Sequence, residues 1–262
     1  MPPQLDRFVC LGDSLTELSW DEQGLGASLA HLYQRKLDVL NRGLSGYNSD
    51  WALHVWKQWL EPTTDGGPKT QLVTLWLGAN DAVLPSELQA VPLERYKANL
   101  RAIVALVHDR CPEASVVLVT PTPFHPEGWL DERVRRGLTR EHDRAPERTR
   151  EYAEAVRQLG NELSLPVADA YTPVDAEMRQ LGPEKEGNVF TDGLHLNAAA
   201  YKHVVNAVVK AIEAHYPEKA PDALPLLFPY WRDIPTAGAL GPEFSVADKA
   251  VAAAAANHTD PF

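Results

Sequence analysis

The stretch Phe8-Val9-Cys10-Leu11-Gly12-Asp13-Ser14-Leu15 runs four apolar residues straight into Gly-Asp-Ser. An apolar run this short, without alternation, reads as a strand covered on both faces, the kind found in parallel sheets. A serine at the exit of such a strand is held rigidly, with its hydroxyl able to face a cleft. Far downstream, Asp192-Gly193-Leu194-His195 sets a carboxylate three residues before a histidine. Of nine histidines, His195 alone has an acid at that spacing. Such a pair can take a proton from a hydroxyl, so the two ends of the chain together point to nucleophilic acyl chemistry on a serine.

Outward from the first run, four more apolar segments recur at intervals suited to intervening helices: Leu37–Leu40, Leu72–Leu77, Val116–Thr120 and the weaker Pro166–Ala168. Helices are predicted over Gly26–Lys36, Asp50–Leu60, Leu93–Asp109, Glu147–Leu163 and Ala198–His215. In the third, Leu93, Tyr96, Leu100, Ile103, Val104 and Val107 form an amphipathic stripe. Alternating strands and helices predict a three-layer α/β/α sandwich with right-handed crossovers, and active sites in such folds lie at the carboxyl ends of the strands. Gly12-Asp13-Ser14, Gly43-Leu44-Ser45-Gly46 and Gly78-Ala79-Asn80-Asp81 all fall there. The charged stretch from His125 to Arg150 reads as a helical excursion or loop beside the cleft.

Composition narrows the function. With 44% hydrophobic residues the chain has ample material for a core, and its formal charge of −11 argues against a surface for nucleic acid or anionic lipid. Cys10 and Cys111 read as two free thiols rather than a disulfide framework. No stretch is long enough to cross a bilayer, and the start of the sequence lacks the pattern of an export leader, so a cytoplasmic protein is expected. Asn257-His258-Thr259 is then a chance sequon.

Taken singly, the chemical residues are ordinary. Gly-Asp-Ser is a common turn whose serine caps a helix, Gly46 supplies an unusual φ, and Asn80 tolerates a strand exit. Their convergence changes the reading. Ser14 is the candidate nucleophile and His195 its base, with Asp192 orienting the ring through Nδ1. The Gly46 backbone N–H and the Asn80 amide are candidate oxyanion donors. A metal reading is weaker, since no second histidine or cysteine sits at ligand spacing from Asp192 and His195; no metal or cofactor is expected. Gly24-Leu25-Gly26 lacks a preceding strand and a third glycine, against a dinucleotide site. Thr16 and Glu17 read as helix caps, Asp13 and Asp81 as ties between loops, and Trp51, Trp56, Trp59 and Trp76 as core packing.

Gly12-Asp13-Ser14-Leu15, Gly46, Gly78-Ala79-Asn80-Asp81 and Asp192-Gly193-Leu194-His195 resemble, in order and spacing, the four sequence blocks of the GDSL, or SGNH, hydrolases. That resemblance implies a flavodoxin-like five-stranded sheet of order 2-1-3-4-5, and Ser14, Asp192 and His195 as a catalytic triad. It also implies an oxyanion hole formed by Ser14 N–H, Gly46 N–H and Asn80. Val39-Leu40-Asn41-Arg42-Gly43-Leu44-Ser45-Gly46-Tyr47-Asn48, Gly78-Ala79-Asn80-Asp81-Ala82 and Tyr230-Trp231-Arg232-Asp233 further resemble the isoamyl acetate-hydrolysing esterase group. This implies a small-molecule acetate ester of a short alcohol as substrate. The same triad could pass its acyl group to an alcohol or thiol, or the pocket could serve a catalytically idle binding module.

The organisation expected is one hydrolase domain over 1–216, followed by an apolar arm and an alanine-rich tail over 217–262. The arm, Leu224 to Ile234, is too apolar to remain in water and too proline-rich for a sheet strand. It must cover an apolar surface of its own body or of a second copy, and a homodimer through it is the expectation. The alanine run Ala250–Ala256 is helical or frayed.

Overall fold

The computed structural model describes residues 4–233. Five strands, β1 (Asp6–Gly12), β2 (Leu37–Gly43), β3 (Thr70–Trp76), β4 (Ser115–Val119) and β5 (Val167–Ala168), form one sheet in the order β2-β1-β3-β4-β5. Every pairing is parallel. The five predicted runs are these strands, and the predicted strand order is the observed one.

Among the described residues, eight α-helices connect and cover them: α1 (Ser14–Glu17), α2 (Leu25–Leu32), α3 (Ser49–Trp59), α4 (Leu93–Arg110), α5 (Pro126–Arg135), α6 (Pro146–Leu163), α7 (Tyr171–Leu181) and α8 (Ala198–His215). Successive strand residues point to opposite faces, so each strand feeds two cores. Phe8, Cys10, Leu72, Trp76, Val117 and Val119 pack with Leu25 and Leu29 of α2 and Val204 and Val208 of α8. Val9, Leu11, Val73, Leu75, Val116 and Leu118 pack on the other side with α3, α4 and α6. Burial on both faces is why the runs are unbroken rather than alternating.

Several expectations need correction. The helix expected over Gly26–Lys36 stops at Leu32, and Arg35 beyond it takes a left-handed φ of +59°, which no helix continues through. Helix α7 lies where none was predicted and buries Tyr171, Val174 and Met178. The charged stretch from His125 to Arg150 is the expected excursion, made of helix α5, a loop and the start of α6. Trp56 and Trp76 are core residues as expected, but Trp51 and Trp59 are 36% and 40% exposed. Thr16 and Glu17 do not cap α1. Asp13 does, accepting from the Leu15 N–H, while Glu17 accepts from the Ser45 N–H.

Cys10 and Cys111 are buried free thiols. The first part of the arm lies on the body: Leu224 packs on the core, and the Leu227 N–H donates to the Arg35 carbonyl at 2.8 Å. Ile234 and the alanine run lie outside the described residues. Among the described residues no helix is long and apolar enough to cross a membrane.

Candidate active site

The strand order reverses between β1 and β3, and a crevice opens at their carboxyl ends. Ser14 enters it from the end of β1 as the first residue of α1. Gly46 follows β2, with a left-handed φ of +78° that turns the chain toward Ser14. Asn80 follows β3 and is buried. His195 arrives from the loop before α8, on the far side of the sequence. Ser14, Gly46, Asn80 and His195 line one pocket of about 380 Å³, the size of a small-molecule site.

The loop that carries His195 is folded tightly on itself. Phe190 and Leu196 form an antiparallel bridge, and the Thr191 N–H donates to the His195 carbonyl at 2.8 Å. Asn197 then caps α8 by accepting from the Ala200 N–H. This closure brings Asp192 beneath the histidine. Its Oδ1 accepts from the backbone N–H groups of Leu194 at 3.0 Å and His195 at 2.8 Å, and its Oδ2 stands 2.6 Å from His195 Nδ1. His195 Nε2 is 2.8 Å from Ser14 Oγ. Burial pushes the Asp192 carboxyl up, but the hydrogen bonds from His195 and Leu194 outweigh it and hold the group at about 2. Asp192 therefore stays ionised and fixes the imidazole with Nε2 turned toward the serine.

Asn80 Nδ2 donates one hydrogen to the Tyr47 carbonyl at 2.9 Å, which leaves its second for the pocket. Gln89, which nothing in the sequence marked, holds this side together. Its Nε2 donates to the Gly46 carbonyl at 2.6 Å and reaches Asn80 Oδ1 at 3.4 Å. The two buried carboxyls of the motifs do structural work. Asp81 accepts from the Ser49 N–H at 2.9 Å, tying the end of β3 to the start of α3 as expected. Burial pushes Asp13 up to about 6 and Asp81 up to about 7.

The opposite wall comes from the charged stretch after His125. The His125 N–H donates to the Gly193 carbonyl at 2.7 Å, and its Nδ1 accepts from the Gly128 N–H, so α5 starts against the Asp192–His195 loop. Gly193 sits at φ +89°, and a Cβ there would stand 2.1 Å from the Trp129 nitrogen, so only glycine allows that contact. Trp129 then meets the His195 ring edge-on at 6.3 Å. Trp129, Arg133, Arg136 and Arg144 line the pocket, and sequence reasoning named none of them individually. A separate surface depression of about 460 Å³ beside α6 has no serine, cysteine or histidine in its lining.

Fold and site together define a carboxylic-ester hydrolase of the three-layer α/β/α class. Comparison with known proteins agrees. The profile of the GDSL-like lipase/acylhydrolase family matches residues 10–203. A GDSL esterase/lipase of Arabidopsis thaliana is 39% identical over 215 residues, covering 79% of this chain and 86% of that protein. The isoamyl acetate-hydrolyzing esterase 1 homolog of Bos taurus is 35% identical over 231 residues, covering 87% and 88%. The crystal structure of an acetyl xylan esterase, AlAXEase, superposes with a TM-score of 0.60 at 18% identity, over 79% of this chain and 99% of that one, a likeness of fold. The chain belongs to the GDSL-like lipase/acylhydrolase family.

Proposed function

We propose that the chain hydrolyses short-chain, acetate-type esters through an acyl-enzyme on Ser14. The observation that carries the reading is the unbroken chain Asp192–His195–Ser14, with links of 2.6 and 2.8 Å. In this reading His195 Nε2 takes the Ser14 proton as Oγ attacks the ester carbonyl. The N–H groups of Ser14 and Gly46 and the free hydrogen of the Asn80 amide receive the developing oxyanion. His195 then gives its proton to the alkoxide as it leaves. Water, activated by the same nitrogen, attacks the acyl-enzyme and releases the acid.

The pocket of about 380 Å³ suits a small ester, and the relatives named for isoamyl acetate support a short acyl group. The test is a panel of esters graded separately in acyl and alcohol length. The expected result is highest kcat/KM on acetates, falling as the acyl chain grows. Turnover confined to long acyl chains, or absent on all esters, would contradict it.

A further inference from the structure

The chain carries a net charge of −11, yet the pocket wall after α5 begins is built on arginine. Arg136 is already committed, with Nε 2.6 Å from Glu132 Oε1 and Nη2 3.3 Å from Asp192 Oδ2. Arg133 and Arg144 are different, because they share one carboxylate. Arg133 Nη1 lies 2.7 Å from Asp143 Oδ2, and Arg144 Nε lies 3.1 Å from Asp143 Oδ1. Trp129 Nε1 also donates to Asp143 Oδ1, at 2.9 Å. The three charged side chains are nearly buried, at 12% exposed for Arg133, 4% for Arg144 and 6% for Asp143.

Among the described residues, two guanidiniums share the one carboxylate that pairs with either of them, in a place where water does not solvate the excess positive charge freely. Asp13 acts on Arg144 through space without an ion-pair contact, so Arg144 draws on two carboxyls and Arg133 is the guanidinium left with only a share of Asp143. Arg133 Nε is buried and has no hydrogen-bond partner among the described residues. A guanidinium that lines a substrate pocket with an unused edge is suited to a carboxylate, whose two oxygens match its fork.

The position of the cluster says which part of a substrate it meets. His195 must hand its proton to the leaving oxygen, so the alcohol portion departs on the histidine side. Trp129 stands against His195, and Arg144 lies 4.9 Å over the Trp129 ring. The oxyanion residues occupy the other wall. Resting on the esterase reading above, we propose that the pocket selects esters whose alcohol portion carries a carboxylate, bound by Arg133 with Arg144 behind it. Hydrolysis of such an acetate ester consumes water and releases acetate and a hydroxy acid.

The experiment compares 3-acetoxypropanoate with 3-acetoxypropanamide, which match in length and shape and differ in charge. The expected kcat/KM is at least about tenfold higher for the carboxylate, with the advantage shrinking as salt is added. Arg133→Met, which leaves Asp143 and Arg144 as a one-to-one pair, should bring the ratio of the two esters to about one. Arg133→Lys should keep part of it. If Arg133→Met does not fold, the ratio and its salt dependence in the unmodified protein decide. A ratio of one or less, or a preference that survives Arg133→Met, overturns this inference while leaving the esterase intact. Hydrolysis of neither ester, alongside turnover of neutral short-chain acetates, likewise overturns this inference alone, and only failure on every ester overturns the esterase reading.

Discussion

Asp81 gives a sharp test of the packing beneath the site. It is buried, uses Oδ1 on the Ser49 N–H, and among the described residues has no hydrogen-bond partner for Oδ2. Burial raises it from 3.8 to about 7, against the opposing hydrogen bonds from Ser49 and with help from the nearby Asp13 carboxyl. A carboxyl raised on folding keeps its proton in the native state while the unfolded chain has already released its own. Its contribution is therefore fullest below pH 4 and is lost as pH rises through about 7. Between pH 5 and pH 8 roughly two pH units of this loss remain, about 3 kcal/mol at ~1.4 kcal/mol per unit. Asp81→Asn keeps the acceptor for Ser49 and cannot ionise. Any cost of its buried amide is the same at both pH values. Denaturant unfolding of parent and variant at pH 5 and pH 8 measures the difference. The variant should gain on the parent by about 3 kcal/mol between the two conditions. An equal stability difference at both pH values would show that Asp81 does not titrate on this scale, and the burial argument would fall.

Ser14→Ala and His195→Ala should each lower kcat by on the order of 10⁴–10⁶ with folding intact. The double variant should be little worse than either single one, and additive losses in steady-state assays would contradict a shared step. Asn80→Ala should lower kcat by about 10²–10³, as expected for one oxyanion donor. Gln89→Ala should lower it by about 10- to 100-fold, because Gly46 and Asn80 lose the side chain that holds them in place. A change confined to KM would reassign Gln89 to substrate binding. Dialysis against a chelator should leave turnover unchanged, and activity restored only by a divalent ion would replace this chemistry with metal-assisted hydrolysis.

The parts legible in the sequence share one property: local pattern and tertiary role coincide. The strand runs are apolar because both faces are covered, and Ser14, Gly46 and Asn80 stand at strand exits where the fold must turn. Asp192 and His195 are legible as a pair because a three-residue spacing lets a closed loop bring them together. Helix α7 is hidden by polar residues and by Pro173 in its first turn. Its buried Tyr171, Val174 and Met178 nevertheless keep helical spacing. The wall of the pocket was less visible. A charged run ordinarily means a solvated face, yet Glu132, Asp143 and Arg144 are buried there. They are drawn in by contacts distant in sequence: His125 on Gly193, Arg144 on the Ala79 carbonyl, and the Leu84 N–H on the Asp143 carbonyl. No short motif encodes such anchoring, so Trp129, Arg133 and Gln89 became apparent only in the folded chain.

Ser14 as the nucleophile, activated by His195, can be tested by covalent labelling. A fluorophosphonate probe reacts with a serine that has been activated in this way, and intact-mass and peptide mass spectrometry locate the adduct. One adduct per chain is expected, on Ser14, formed rapidly in the unmodified protein and abolished in both Ser14→Ala and His195→Ala. An unlabelled protein, or an adduct on any other residue, would contradict it.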